Sequence, residues 1–175
     1  MKAERFYPGA RASLLHIVLT AREAEAEYRD IAHEWPQDVV ARNALAEILK
    51  GQGKLWEAEA EYRAIAHEWP QDVVARNGLA AILEGHGKLM EALTVYEQIL
   101  TINPEIASVW FRKGNILLGL GLHNEALVAY DRAAMLNPDD AEILLNRASL
   151  LGDLGRNEEA RNAHNEAAML IKKNT

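Results

Sequence analysis

Six histidines are the side chains in this chain that could ligate a metal, and their spacing argues against it. His33 and His67 occupy the same place in two copies of one segment, so they stand a whole structural unit apart. His16, His86, His123 and His164 show no HxxxH or HExxH pattern that would bring two imidazoles to one helix face. Packing or solvation is the expected role for all six. Glu23, Glu25 and Glu27, with Glu57, Glu59 and Glu61, resemble paired acids for proton transfer. On a helix, carboxylates at i and i+2 fan apart and share no site, so a solvated face is expected. No serine is flanked as a nucleophile elbow, and no glycine loop is built to cradle phosphate. Trp35 and Trp69 are each followed seven residues later by an arginine, Arg42 and Arg76. A guanidinium stacked on each indole is expected, worth about 0.5–2 kcal/mol if desolvated. The alternative is an exposed indole used as a contact handle. No catalytic residue, metal or cofactor is expected.

The elements that carry these residues are set by a period. Pro36, Pro70, Pro104 and Pro138 each follow the last by 34 residues. The segment Glu23 to Asn43 returns as Glu57 to Asn77 with one difference, Asp30 against Ala64. A period of this length marks stacked supersecondary units, each too small to bury its apolar face alone. Near-identical neighbouring units are not what a catalytic constellation requires, since that is made once.

Within residues 39–72, Val39, Ala41, Leu45, Ala46, Ile48 and Leu49 recur at helical spacing. Gly51 and Gly53 then supply a turn. Leu55, Ala58, Ala60, Tyr62, Ile65 and Ala66 form a second helical stripe, which Trp69-Pro70 stops. Asp38 and Asp72 stand where the following helix begins and are good N-caps. Each unit therefore reads helix, glycine turn, helix, proline stop.

This pattern resembles the tetratricopeptide repeat family. Tyr28, Tyr62, Tyr96 and Tyr130 hold the second-helix aromatic position; Ala24, Ala58, Ala92, Ala126 and Ala160 precede it; Gly53, Gly87, Gly121 and Gly155 hold the turn. Ala46, Ala80, Gly114 and Ala148 are the small residues of the first helix, and residues 107–140 match the family pattern most fully. The resemblance implies an all-α fold, a right-handed α-solenoid of antiparallel helix hairpins. It implies one domain over residues 1–175, with repeats at 5–38 (degenerate), 39–72, 73–106, 107–140 and 141–174. The first repeat lacks its turn glycine, so either its helices turn without one or Ser13 to His33 runs as a single helix. In the last repeat His164 replaces the aromatic and Lys172 the proline. Ala163, Ala167 and Leu170 are then expected to stay partly uncovered, with either more chain or a partner to cover them.

In the resembled family the first helices line a concave groove where ligands lie. Carried over by register, that wall comprises Val40, Asn43, Ala44, Glu47 and Lys50, then Val74, Asn77, Gly78, Ala81 and Glu84. It continues with Ser108, Phe111, Arg112, Asn115 and Leu118, and with Glu142, Leu145, Asn146, Ser149 and Asp153. Asn43, Asn77, Asn115 and Asn146 supply carboxamides, which both donate and accept and so suit an extended peptide backbone. Phe111, Leu118 and Leu145 add apolar surface. Arg112 is the clear cation, with Lys50 isolated, so the family's basic set for a partner's terminal carboxylate is not matched.

Composition limits the partners. The net charge of −7 and the absence of a basic run argue against nucleic acid. No apolar stretch approaches the roughly 20 residues of a membrane span. The N-terminal Lys2, Arg5 and Arg11 before an apolar Ser13–Ala21 resemble a signal peptide, but His16 and the helical spacing beyond favour a first helix. The absence of cysteine favours a reducing compartment, and a cytoplasmic location is expected. The function expected is a non-enzymatic scaffold that holds a peptide or helical segment of a protein partner in its groove. The alternatives are a self-assembling homo-oligomer, by end-to-end stacking or exchange of the first helix, and the targeting arm of a larger enzyme.

Overall fold

The computed structural model describes residues 20–173. These form helices joined by short turns: α1 (Ala21–Glu34), α2 (Val39–Gly51), α3 (Leu55–Glu68), α4 (Val73–Gly85), α5 (Leu89–Ile102), α6 (Ala107–Gly119), α7 (His123–Leu136), α8 (Ala141–Asp153) and α9 (Asn157–Lys173). The fold is all-α, as the family resemblance implies. Contacts divide the chain into two compact units, Met1–Ile82 and Leu83–Thr175, and each is described by itself. In the first, α2 and α3 form a hairpin and α1 packs on α2. In the second, α6 pairs with α7 and α8 with α9, while α5 packs on α6 and α7 on α8.

The boundaries follow from local chemistry. Asp38 accepts from the amides of Val40 and Ala41 at the start of α2, and Asp140 does the same for Glu142 and Ile143 at the start of α8. These bonds satisfy amides that a helix start leaves without partners. At the hairpin turns Gly53, Gly121 and Gly155 adopt φ of 77°, 76° and 75°. That left-handed geometry lets the next amide reach back, as Lys54 N does to Leu49 O at 2.9 Å. The second helices stop before proline. In the last repeat Lys172 stands in its place, and α9 runs for 17 residues against 14 in α3, α5 and α7.

The tyrosines anchor the core. Tyr28, Tyr62, Tyr96 and Tyr130 are 0–2% exposed, and Ala58, Ala92 and Ala126 are fully buried so that neighbouring helices can approach. Burying each ring contributes on the order of 1.5–3 kcal/mol.

Four expectations need correction. Thr20 is extended and caps α1 in a reciprocal pair with Glu23. One helix from Ser13 through His33 is therefore not formed; the residues that would make the first helix of that repeat lie outside the described range. Ala163 and Ala167 are buried, because α9 packs its small-residue stripe onto α8; Leu170 alone stays partly uncovered as expected. Glu25 and Glu59 are not on a solvated face, being 8% and 5% exposed. Glu25 accepts from Lys54 Nζ at 2.8 and 2.7 Å and from Arg29, and Glu59 accepts from Arg63. The bond from Lys54 holds the Glu25 carboxyl below its ordinary pKa. Finally, Arg42 does not stack on Trp35. It lies 5.3 Å over the Trp69 ring, one repeat on, and donates to Glu61 and Glu68 at 2.6 and 2.7 Å. Arg76 turns to the backbone carbonyls of Ala66, Trp69 and Asp72 instead of the indole.

Candidate functional site

In the first unit, the candidate wall is largely engaged with its own fold. Asn43 Nδ2 donates to Asp72 Oδ2 at 3.2 Å, and its Oδ1 is buried without a partner. Lys50, expected to be isolated, donates to Glu47 at 2.6 Å. Glu47 also accepts from the Tyr62 hydroxyl at 2.8 Å. Burial raises the Glu47 pKa, but the bonds from Lys50 and Tyr62 outweigh it and leave the carboxyl below its ordinary value. Val40, Val74 and Asn77 are exposed. Gly78 is buried under the Tyr62 ring and presents nothing to a ligand.

In the second unit a cavity of about 330 Å³ takes Ser108, Phe111, Arg112, Asn115 and Glu142 from the predicted set, while Leu118, Leu145, Asn146, Ser149 and Asp153 do not line it. α6 contributes Ser108, Phe111, Arg112 and Asn115; the turn before α8 contributes Asn137 and Asp140; α8 contributes Glu142 and Ile143. The hydroxyl of Tyr130 donates to Asn115 Oδ1 at 2.7 Å. With its oxygen so engaged, the exposed Asn115 keeps its two N–H donors for another partner. Asn146 is engaged the opposite way: its Nδ2 donates to Glu142 O at 3.1 Å, which leaves its oxygen as the unused acceptor. Phe111 is half-buried with its ring 5.9 Å from that of Tyr130. Leu118 is half-buried and Leu145 exposed beside this wall.

Arg112 donates to Glu84 Oε2 at 3.1 Å. Burial pushes the Glu84 carboxyl above its ordinary pKa, and Arg112 offsets this only in part. The Tyr96 hydroxyl finds no acceptor in hydrogen-bonding geometry. Burial, with the Glu84 charge nearby, raises its pKa well above that of a free phenol. A larger cleft of about 620 Å³ lies in the first unit, but its arginines, Arg29 and Arg42, are already in ion pairs with Glu25, Glu57, Glu61 and Glu68.

Register alone did not find Asn137, Asp140 and Ile143 as lining residues, because they come from a turn and a neighbouring helix. The signal for the fixed carboxamide was present: Asn115 and Glu47 each stand 15 residues before a repeat tyrosine. Among the described residues no three His, Asp or Glu side chains gather in a way that could hold a metal ion, and no helix is long and apolar enough to cross a membrane.

Tandem helix hairpins with buried tyrosines and left-handed glycine turns define a repeat protein of the helical-hairpin class. The chain belongs to the tetratricopeptide repeat family, whose profiles match residues 21–73, 107–140 and 141–174. In general terms it is a protein-interaction scaffold, and members of the family are typically non-catalytic. No curated protein matches it in sequence. Among solved structures it is similar to a double mutant of MamA RS-1, with a TM-score of 0.86 at 15% identity over 95% of this chain and 94% of that one. It is also similar to MamA, residues 41 to the end, from Desulfovibrio magneticus RS-1, with a TM-score of 0.83 at 15% identity over 95% and 94%. A crystal form of MamA AMB-1 gives a TM-score of 0.71 at 22% identity over 87% of each chain. At these identities the likeness concerns the fold.

Proposed function

We propose that this protein holds an extended or helical segment of a protein partner against the wall formed by its first helices, without chemistry on that partner. The observation that carries the reading is the Tyr130–Asn115 hydrogen bond. A carboxamide fixed from behind by a buried hydroxyl presents its donors already aimed, so less ordering entropy opposes binding. Asn146 offers the complementary acceptor, and Phe111 and Leu145 offer apolar surface within the same unit. Arg112 and Leu118 belong to the same proposed wall; in the first unit Asn43, Asn77, Glu47 and Lys50 are the corresponding proposed contacts, with Asn43 and Lys50 acting chiefly through the carboxylates they hold in place.

The test is selection of peptides from a random display library, followed by affinity measurement with the double variant Phe111→Ala, Asn115→Ala. Circular dichroism confirms that the variant retains its helices. The reading expects selected peptides to lose roughly tenfold or more in affinity, as truncation of central contacts does. Unchanged affinity in a folded variant refutes the assignment of this wall.

A further inference from the structure

We infer that the cavity between α6 and α8 selects a lysine or arginine side chain of the bound segment. This deepens the proposed function and rests on it. Three carboxylates bear on the cavity's charge: Asp140 and Glu142 in its lining, and Glu84 through its pairing with Arg112. Arg112 is the one cation in the lining, and Glu84 holds it at 3.1 Å. Asp140 Oδ1 is spent on the amides of Glu142 and Ile143, and its Oδ2 accepts from Asn137 at 3.3 Å. The exposed Glu142 carboxylate has no ion-pair partner among the described residues. A cavity whose cation is neutralised and whose free charge is a carboxylate favours a positive guest.

The half-buried Phe111 narrows the chemistry further. A long cationic side chain covers apolar surface with its methylene stem while its head reaches a carboxylate, and an aromatic face adds attraction for the charge. The N–H groups of Asn115, left over once its oxygen accepts from Tyr130, suit a backbone carbonyl of the same segment. An acidic guest would meet Glu142 uncompensated and would have to displace Glu84 from Arg112.

The experiment is a random 12-residue peptide display selection against the wild type, Glu142→Lys and Phe111→Ala. Wild type is expected to enrich peptides with lysine or arginine at one fixed position. A resynthesised hit should weaken about tenfold toward Glu142→Gln, in line with loss of one interfacial charge pair, and should weaken similarly when its cation is replaced by norleucine. Glu142→Lys is expected to lose these peptides or to enrich acidic ones instead. Arginine against lysine at that position separates a stacked, forked head from a point charge. Peptides that depend on Phe111 but show no basic preference overturn this inference and leave the proposed wall standing. Absence of any Phe111-dependent peptide overturns both.

Discussion

Gly78→Ala separates the packing account from the rules that govern an isolated helix. Gly78 lies inside α4, where replacing glycine by alanine ordinarily stabilises by about 1 kcal/mol. The repeat itself suggests that the change is harmless, since Ala44 is the equivalent residue one unit earlier. The structure predicts the opposite. A Cβ at Gly78 would stand within 2.7 Å of Cζ, Cε1 and Cε2 of Tyr62. That ring is 1% exposed and tied through its hydroxyl to Glu47 at 2.8 Å, so it cannot shift without disturbing that bond. Overpacking of a filled core costs about 1–3 kcal/mol. Displacing the ring also strains a hydrogen bond to a charged acceptor, worth about 1.5–3 kcal/mol. After subtracting the helix gain, a net loss of roughly 1.5–5 kcal/mol is expected, which lowers the melting midpoint by several degrees in a chain of this size. Thermal and urea unfolding followed by circular dichroism measure it. A variant as stable as the wild type, or more so, refutes the claim that Tyr62 and α4 are in close contact.

Three further outcomes follow from the same geometry. Arg42→Lys keeps the charge but loses the forked reach to Glu61 and Glu68 and the stack on Trp69; urea unfolding should show a loss of about 1–3 kcal/mol. Tyr130→Phe removes the donor to Asn115. It should cost about 0.5–1.5 kcal/mol in stability and, by freeing the carboxamide to rotate, weaken a selected peptide without touching it. Glu84→Gln tests the pH dependence: because burial raises the Glu84 pKa in the folded state, its ionisation costs stability. Its contribution is fully present below the unfolded carboxyl pKa and is lost as pH rises through the higher folded value. The stability of wild type relative to the variant should therefore increase as pH is lowered from neutral through that window, and a flat difference would refute the buried character of Glu84.

The hairpins were legible in the sequence because proline stops, glycine turns and aspartate caps act locally and recur with a fixed period. Pro70 and Asp72 needed no knowledge of distant residues to mark where α3 ends and α4 begins. Side-chain pairing was not legible, because it depends on which repeats face each other. Arg42 lies seven residues after one tryptophan but stacks on the other, since the side chain extends toward the neighbouring second helix. Glu25 and Glu59 looked solvated from their alternation, yet each is buried and held by a basic partner. That Ser108, Phe111, Arg112, Asn115 and Glu142 line one cavity was legible as a register in α6 and α8, but the bonds that hold the two carboxamides were not. Those are the bond from Tyr130 to Asn115 and the bond from Asn146 to the Glu142 carbonyl.

The central claim, that the wall of first helices binds a partner segment, is tested most directly by nuclear magnetic resonance. The isotope-labelled protein is titrated with a selected peptide while side-chain amide and aromatic signals are followed. The account predicts that the largest changes fall on the carboxamides of Asn115 and Asn146 and on the ring of Phe111. Changes confined to the outward faces of α7 and α9, with those three signals unmoved, would contradict it.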